Sequence, residues 1–388
     1  MSREIKDQEN RVALTPRAVS SLVMSGCKII VETLAGAKSG YSDDEYTTAG
    51  ATIAGSATEL FSKAQLIVKV KEIQVSKGED LRIKPHHTIF GFNHFESSKE
   101  LTDAAVKSGA TFISFEKVID GTGQTPILMP MSRIAGTMSG IWSGFFHNYA
   151  FRHDKSIRLK AGADETKSKF IKNFEHIMNA KIDSELRRML SLQDKTSVIF
   201  GGGSVGETAA RVCSALGAKI IIVEKRDLRR KYLEDINLPK CSVVAVADSD
   251  LLRGAHVIIG STYDKEKAGR MVDEKTLEEI SEKRKKIIID VAVDQGGNFP
   301  FINPAGIYSP SSTGTILNPA QVDYFGNVFI RVPNIPSIVP RHASTALSDS
   351  IVEYVRDISL GVSRSELVRA VSIKNGKIID EAIAKAHN

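Results

Sequence analysis

Apolar and polar positions alternate along the first third of this chain in a pattern that predicts short strands between helices. β-rich runs are separated by stretches of helical period, of which Lys99–Lys107 is one. The predicted strands are Lys28–Glu32, Leu66–Val70, Thr88–Phe92 and Thr111–Phe115. A strand and helix rhythm of this kind implies a mainly parallel sheet.

A second rhythm of the same kind begins at Thr196, so the 388 residues are predicted to form two α/β units. Its strands are Thr196–Phe200, Lys219–Val223, Ser242–Ala247, His256–Gly260 and Lys286–Val291. Helical patterns follow at Ile351–Ile358, Glu366–Ala370 and Ile378–Ala386. Between the two units, the apolar spacing over Lys167–Leu192 predicts a long amphipathic helix that connects them.

Composition narrows the class of protein. Apolar residues make up 42% and charged residues 25%, close to the average for soluble globular proteins. The formal charge of +6 is dispersed, and no nucleic-acid-binding motif accompanies it, so a nucleic-acid partner is not expected. No apolar run approaches the roughly 20 residues that span a bilayer, and Met1–Lys6 lacks the apolar core of a secretory signal. We therefore expect a cytoplasmic enzyme without a membrane partner.

The cysteines and histidines do not indicate a metal site or a disulfide framework. Cys27, Cys213 and Cys241 are odd in number and lie in apolar contexts, which favours reduced thiols. His86 and His87 are adjacent, and no spacing of ligand residues is typical of a metal centre. No metal is therefore expected.

The most informative motif is the glycine-rich run Gly201-Gly202-Gly203-Ser204-Val205-Gly206. It follows a predicted strand and opens a predicted helix, Glu207–Leu216, which is the context in which such a run binds a dinucleotide. Gly201 permits the tight turn, Gly203 lets the pyrophosphate approach the backbone, and Gly206 lets the helix pack against the strand. The N-terminus of that helix then presents its N–H groups to the phosphates. We expect Gly201, Gly203, Ser204, Val205 and Gly206 to bind the cofactor.

The cofactor is predicted to be NAD, with NADP as the alternative. The run Lys219–Val223 ends in Glu224, whose carboxylate can accept both ribose hydroxyls of adenosine and repel a 2′-phosphate. The alternative rests on the cations that follow, because any of them can hold that phosphate: Lys225, Arg226, Arg229 and Arg230. Glu224 favours NAD, and Glu224 and Lys225 join the predicted cofactor site.

Several motifs resemble the alanine dehydrogenase and pyridine nucleotide transhydrogenase superfamily over nearly the whole chain. They are Glu9–Pro16, Val68–Glu72, Met129–Ser132, Gly201–Gly206, Asp290–Gly297 and Asn334–Pro336. The resemblance implies an α/β fold of two Rossmann-like domains with mainly parallel sheets and a cleft between them. It implies a substrate domain at 1–129, an NAD-binding domain with the linker helix at 130–336, and C-terminal helices at 337–388 that return to the substrate domain.

The resemblance also implies roles for individual residues. Arg11 would bind the substrate carboxylate, Lys71 would contact the substrate and polarise its keto or imine group, and His94 would be the general acid and base. Asp294 would orient substrate or water near the nicotinamide. The other implied positions are Met131 and Asn334 for the substrate and Ser132 and Ser261 for the cofactor. A guanidinium suits a carboxylate, an ammonium stabilises a developing oxyanion, and an imidazole can transfer a proton at neutral pH.

The implied activity is NAD-dependent oxidative deamination of a small L-amino acid, by default alanine to pyruvate and ammonia, and its reversal, in a homo-oligomer. Three features depart from the family pattern. Only Met1–Lys6 precedes the Arg11 motif, the charged stretch Lys155–Gln193 replaces a glycine-rich connection, and Ser261–Lys265 replaces a Pro-Gly-Ala-Lys-type loop. Two alternatives stay open. Asn334–Ser344 and Trp142–Phe151 are also similar to saccharopine dehydrogenases, which join an amino acid to a 2-keto acid. A non-catalytic NAD-sensing paralogue is the other.

Overall fold

The computed structural model describes residues 1–151, 188–262, 271–293, 296–303, 305–306 and 320–387. The chain divides into two compact units, one formed by Met1–Met131 with Val339–Asn388 and the other by Ser132–Ile338. The predicted site residue Asp294 lies outside the described residues. So does most of the predicted helix Lys167–Leu192, of which only 188–192 are described, with 188–190 helical.

The first part of the first unit alternates short strands and helices. Its helices are α1 (Pro16–Met24), α2 (Asp43–Thr48), α3 (Ala57–Lys63) and α4 (Lys99–Ser108), and α5 (Leu128–Phe151) continues into the second unit. Its strands are β1 (Ile30–Glu32), β2 (Thr52–Ala54), β3 (Leu66–Val68), β4 (Thr88–Gly91) and β5 (Thr111–Ser114). β1 and β2 form a separate parallel pair, and β3, β4 and β5 are parallel neighbours in a larger sheet.

The second unit holds a seven-stranded sheet among the described residues. Its strands are β6 (Thr196–Phe200), β7 (Lys219–Val223), β8 (Cys241–Val244), β9 (Val257–Gly260), β10 (Ile287–Asp290), β11 (Ala320–Val322) and β12 (Val328–Ile330). Its helices after α5 are α6 (Ser204–Ala215), α7 (Asp227–Asp235), α8 (Ser249–Gly254) and α9 (Glu274–Ser281). Every residue of β9 and β10 is buried, as expected for strands of a parallel sheet that is covered on both faces.

The strand order of the second sheet is β11-β12-β10-β9-β6-β7-β8, and only β11 runs antiparallel to its neighbour. Read from β8 to β12, this is the doubly wound order of dinucleotide-binding folds. The order reverses between β6 and β9, so the carboxyl ends of these two strands form the crevice where such folds bind ligands. The predicted α/β class with mainly parallel sheets is confirmed.

The chain returns to the first unit through α10 (Pro340–Ser359), α11 (Ser365–Arg369), β13 (Val371–Lys374), β14 (Lys377–Ile378) and α12 (Glu381–His387). α10 begins with a proline in its first turn and buries a stripe at helical spacing that includes Ala343, Leu347 and Ile351. β13 pairs antiparallel with β5 and completes the five-stranded sheet, β14-β13-β5-β4-β3. In the described part of the chain, no helix combines the length and the apolar character needed to cross a membrane.

The prediction of a helix over Ile378–Ala386 was wrong at its start. Ile378 belongs to β14, and the helix begins at Glu381. The cause is a two-residue hairpin turn, Asn375-Gly376, in which both residues have positive φ, +51° and +71°. An Asn-Gly pair is strongly preferred in this kind of turn, so the local sequence contained the information.

Candidate active site

Arg11 lies in the segment that precedes α1, and this segment is held by α10. The amide of Val12 donates to Ser344 Oγ at 2.9 Å, and the amide of Thr15 donates to Ser348 Oγ at 3.0 Å. The Arg11 side chain is buried, with the residue only 3% exposed. The C-terminal part of the chain therefore fixes the backbone that carries Arg11.

The guanidinium of Arg11 is oriented by the carboxylate of Glu9. Nε donates to Oε1 at 2.8 Å and Nη2 to Oε2 at 2.6 Å, while Nη1 donates to the sulfur of Met131 at 3.2 Å. Burial alone would raise the pKa of Glu9, but the charges of Arg11 and Lys71 outweigh it and lower that pKa to about 2. The pair is therefore ionised at neutral pH, and Arg11 and Met131 lie in contact.

Two buried lysines follow β3, and their surroundings are opposite. Lys69 Nζ lies 2.5 Å from a carboxylate oxygen of Glu79 and 3.7 Å from one of Glu4. In the described ranges, no carboxylate oxygen lies within 4.0 Å of Lys71 Nζ. Burial, and after it the charge of Arg11, lower the pKa of Lys71. The carboxylates of Glu72 and Glu9 act on this ammonium only from a greater distance. Because a buried charge without an ion-pair contact is costly, this ammonium is typical of a functional group more than of a structural one.

The backbone of Lys71 is positioned by Glu4, whose carboxylate accepts from the amides of Val70 at 2.6 Å and Lys71 at 3.3 Å. Burial raises the pKa of Glu4 to about 7, against the opposing effect of the Lys69 charge. The segment before the Arg11 motif therefore supports the strand end that carries Lys71.

His94 follows β4 and has a left-handed backbone, with φ +49°, which is uncommon outside glycine. Its ring is stacked on Phe92, with 5.9 Å between the centroids and 7° between the planes. Burial, followed by the charge of Lys71, lowers the pKa of His94 to about 4. The imidazole is therefore neutral at physiological pH and can accept a proton.

Glu116 holds the loop that carries His94, and the sequence analysis missed it. Its carboxylate accepts from the amides of His94 at 2.7 Å and Asn93 at 3.4 Å, and Oε1 lies 4.0 Å from Nδ1 of His94. Burial raises the pKa of Glu116 to about 7. The sequence did indicate that Glu116 lies near His94, because Glu116 comes just after β5 and the carboxyl ends of neighbouring parallel strands lie at one edge of a sheet.

Charge effects group Arg11, Lys71 and His94, which we call the substrate cluster. Beyond the effect of burial, Arg11 lowers the pKa of Lys71, and Lys71 lowers that of His94. Lys71 and His94 also follow the carboxyl ends of β3 and β4, which are neighbours in the sheet. Open α/β sheets bind their ligands at this edge.

In the second unit, the glycine-rich run, which we call the cofactor loop, connects β6 to α6 at the crevice. Gly201 has φ +91°, and a Cβ on Gly206 would lie 1.8 Å from the Gly201 carbonyl oxygen, so both positions require glycine. Above Gly203, no described atom lies within 4 Å of the position that a Cβ would take. α6 begins at Ser204, directly behind this open space. The loop therefore fits the pyrophosphate of a dinucleotide.

Glu224 directly follows β7, and its side chain contacts the cofactor loop. Its carboxylate accepts from the amide of Gly202 at 3.0 Å and from Nε and Nη2 of Arg226 at 3.0 and 2.9 Å. Although burial opposes ionisation, the bonds from Arg226 and Gly202 lower the pKa of Glu224 to about 2. Glu224 is therefore an anion at the position where an adenosine ribose is expected.

The other cations near Glu224 are directed at protein acceptors, except for the exposed Lys225. Arg229 donates to the carbonyl of Gly202 at 2.6 Å and to Glu207 at 2.7 Å. Arg230 donates to the carbonyls of Glu224 at 2.9 Å and Lys225 at 2.7 Å. These bonds brace the cofactor loop and the start of α7.

The remaining predicted cofactor and substrate residues of the second unit lie in different elements. Ser261 follows β9, and its hydroxyl donates to the carbonyls of Phe200 at 2.8 Å and Gly201 at 3.1 Å, beside the cofactor loop. Ser132 is half-buried in α5. Asn334 has φ +61° and precedes the buried turn Ile335–Ile338.

Asp290 belongs to the motif Asp290–Gly297, but the motif alone assigned it no role. It is fully buried at the end of β10, and both carboxylate oxygens accept from the amide of Asn298, at 3.0 and 2.9 Å. A Cβ on Gly297, which has φ +76°, would lie 2.6 Å from Asp290 Oδ2. Asp290 therefore joins the end of β10 to the backbone at Asn298.

Comparisons with known proteins cover both units. The N-terminal domain model of the alanine dehydrogenase/PNT family matches residues 1–135, and its C-terminal domain model matches residues 190–381. Alanine dehydrogenase of Methanococcus maripaludis is 31% identical over 401 aligned positions, which cover all of this chain and 95% of that protein. The chain belongs to the alanine dehydrogenase/PNT family. The family predicted from the motifs is thereby confirmed.

Further comparisons also cover nearly the whole chain. Alanine dehydrogenase 1 of Staphylococcus aureus strain NCTC 8325 is 32% identical over 397 positions, all of this chain and 95% of that protein. The solved structure of an L-alanine dehydrogenase matches with a TM-score of 0.76 and 26% identity, over 99% of this chain and 97% of that one. A transhydrogenase from Sinorhizobium meliloti shares the fold, with a TM-score of 0.71 and 18% identity over 98% of each chain. These matches do not favour the saccharopine dehydrogenase-like or the non-catalytic alternative.

Proposed function

We propose that this chain is an NAD-dependent dehydrogenase of a small L-amino acid, with alanine and pyruvate as the default pair. The forward reaction converts amino acid, water and NAD to the 2-keto acid anion, ammonium, NADH and a proton. The observation that carries the proposal is the substrate cluster, in which the charge of a buried ammonium acts on a neutral imidazole and is itself affected by an oriented guanidinium. The full-length similarity to proteins named alanine dehydrogenase supports it.

Arg11 is proposed to bind the substrate carboxylate. Glu9 occupies the Nε and Nη2 positions on one side of the guanidinium. The substrate carboxylate is proposed to bind beside Nη1, which contacts the sulfur of Met131 at 3.2 Å. This fixes the carboxylate of the amino acid beside a methionine that can pack against a small side chain.

Lys71 is proposed to stabilise the oxygen that forms when water adds to the imine. An ammonium without an ion-pair contact interacts more strongly with a developing negative charge in a buried site than in water. His94 is proposed to take the proton from that water, since its imidazole is neutral above pH of about 4. In the reverse direction it returns the proton. Asp294, outside the described residues, stays a proposed partner in this step.

NAD, when bound at the cofactor loop, supplies the hydride acceptor. We infer NAD over NADP because the carboxylate of Glu224 lies beside Gly202 and would repel a 2′-phosphate. Two neighbours can counter this effect: Arg226, whose guanidinium is 69% exposed and already lies on Glu224, and Lys225, which is also exposed. Tighter binding of NADPH than of NADH would contradict the inference.

The test is a substrate panel on the purified chain with both cofactors. We expect NADH oxidation with pyruvate plus ammonium. A requirement for lysine plus 2-oxoglutarate would instead support condensation, and NADH binding without turnover of any amino acid would support the non-catalytic paralogue. His94→Ala should lower kcat by about 10²- to 10⁴-fold, the range for general acid and base catalysis, and should leave the Kd of NADH little changed. His86→Ala, at an exposed histidine of the same unit, is the control.

A further inference from the structure

A cavity of about 550 Å³ lies in the second unit at the edge of the sheet where the strands begin. Lys195 precedes β6, His256 precedes β9, and Arg284 and Lys285 precede β10. The cofactor loop starts at Gly201, at the other end of the five-residue β6, and a strand of that length spans about 17 Å. The cavity is therefore separate from the cofactor loop.

The side chains that line this cavity carry positive charge and, in the described part of the chain, no carboxylate. For Lys195, Arg284 and Lys285, no carboxylate oxygen of a described residue lies within 4.0 Å. Nη1 of Arg284 donates to the carbonyl of Gly254 at 3.3 Å, and Nζ of Lys285 donates to that of Ser281 at 3.2 Å. These carbonyls position the two cations without an ion-pair contact. The charge of Lys285 also acts on the buried carboxylate of Asp323, where it opposes the rise in pKa that burial causes.

The neighbouring acid, Asp194, accepts from the side-chain amide of Gln193 at 3.1 Å. A fourth cation, Lys286, is buried next to the cavity, where its ammonium donates to the carbonyls of Arg253 at 3.1 Å and Ala255 at 3.0 Å. Like charges held together repel one another, so a bound anion would lower the electrostatic energy of this edge.

Two histidine rings form part of the wall, and the centroids of His147 and His256 are 5.8 Å apart. Nδ1 of His256 accepts from the amide of Thr196 at 3.2 Å, so the neutral ring carries its proton on Nε2 and can donate there. Burial, followed by the charges of Arg284 and Lys195, lowers the pKa of His256 to about 4. The lowered pKa of His256 is consistent with a positive electrostatic potential in the cavity.

We propose that this cavity binds a small molecule with a phosphate chain. A guanidinium pairs with two phosphate oxygens, and ammonium groups balance further charge. The volume falls within the range of small-molecule sites, about 300 to 1,000 Å³. The cations lie just before the first residues of different strands. A ligand with several anionic groups therefore matches them better than a single carboxylate does. Inorganic pyrophosphate and a nucleoside triphosphate share this chemistry.

The experiment is calorimetric titration of the full chain with inorganic pyrophosphate, and separately with ATP, at saturating NADH so that the cofactor loop is occupied. Lys195→Gln and Arg284→Gln should each weaken pyrophosphate binding by about tenfold or more, the equivalent of one charge-assisted bond. Lys219→Gln is the matched control, because Lys219 begins β7 at the same edge, is exposed and does not line the cavity. The affinity of Lys219→Gln for pyrophosphate should stay within twofold of that of the unmodified chain.

If either variant fails to fold, Lys285→Gln replaces it, since Lys285 is exposed and lines the same cavity. Tighter binding of ATP than of pyrophosphate identifies a nucleotide, and equal binding identifies the phosphate chain alone. The proposal is overturned if the cavity variants bind pyrophosphate as the unmodified chain does, if NADH displaces it, or if millimolar pyrophosphate does not bind. These readouts do not depend on dehydrogenase activity.

Discussion

The two units hold their candidate sites with different parts of the chain. In the first unit, the substrate cluster consists of side chains, and each depends on a neighbour: Glu9 orients Arg11, and Glu116 holds the backbone of His94. In the second unit, the cofactor loop consists of backbone, and it depends on the absence of side chains at Gly201 and Gly206.

This difference predicts how each site fails. A site made of buried charges is sensitive to any change in charge, even at constant volume, because the low dielectric strengthens every interaction. A site made of glycine backbone is sensitive above all to added volume, because a side chain would occupy the space that the ligand or the turn needs. Substitutions that alter only charge or only volume therefore distinguish the two.

Among the substitutions that compare the two sites, the largest expected effect is at Lys71. Lys71→Met keeps the length of the side chain and removes the charge, so kcat should fall by about 10²- to 10³-fold, as on removal of an oxyanion donor. The Kd of NADH should change little, as measured by fluorescence titration.

Lys69→Met is the matched control, two residues away on the same strand end. Since Lys69 balances Glu79 and Glu4, its loss should lower the free energy of unfolding by about 3 to 5 kcal/mol. The contrast between the two lysines fails if Lys71→Met retains normal turnover, or if it destabilises the fold as much as Lys69→Met does.

An intermediate effect is expected from added volume in the cofactor loop. Gly206→Ala places a methyl group 1.8 Å from the Gly201 carbonyl oxygen, so it should lower both the melting temperature and the affinity for NADH. In Gly203→Ala, the added methyl group meets open space, so the melting temperature should stay unchanged. The affinity for NADH should nevertheless fall by about tenfold or more, because the pyrophosphate needs that space. Thermal melts and NADH titrations measure both. Unchanged NADH affinity in Gly203→Ala would contradict the proposed role of the loop.

The smallest expected effect is at Glu116, a positioning residue. Glu116→Gln removes one acceptor of the two amides and the nearby negative charge, so kcat should fall by about tenfold, the equivalent of one hydrogen bond. The Kd of NADH should not change.

The pH dependence of unfolding checks the same residue. Burial raises the pKa of Glu116 from 4.5 to about 7, so the folded state binds more protons than the unfolded state between these values. The stability from this group is present below pH 4.5 and is lost as the pH rises through about 7. Glu116→Gln lacks this loss, so its stability relative to the unmodified chain should increase over that range. A constant difference across the range would show that Glu116 is not shifted.

Much of the fold was predictable from the sequence. Thr196–Phe200 and Lys219–Val223 have the predicted bounds as β6 and β7, because each is an apolar run that ends at a glycine or a charge. β1 and β2, by contrast, are three residues long, and only β1 was predicted. β11 and β12 were missed as well. A strand of three residues contains few positions from which a period can be recognised. β1 and β3 are equally short, but each lies within a longer β-rich run of the sequence.

The candidate site was predictable where a motif has a fixed spacing. The cofactor loop and Glu224 were found from spacing alone, and Arg11, Lys71 and His94 came from the family resemblance. Glu9 and Glu116 were not given roles, because their partners are set by packing: Glu116 and His94 are 22 positions apart and meet only through neighbouring strands. The assigned roles of all these residues, the homo-oligomer and the cytoplasmic location stay predictions.

The ion pair between Glu9 and Arg11 has a consequence for substrate affinity. An arginine side chain carries about 2 kcal/mol of rotational entropy when it is unconstrained. Here that entropy is lost when the chain folds, since both ends of the guanidinium are already held. A substrate that binds Arg11 does not have to immobilise it again, and 2 kcal/mol corresponds to roughly thirtyfold in Kd. The fold thus bears an entropic cost that would otherwise weaken the binding of a very small ligand.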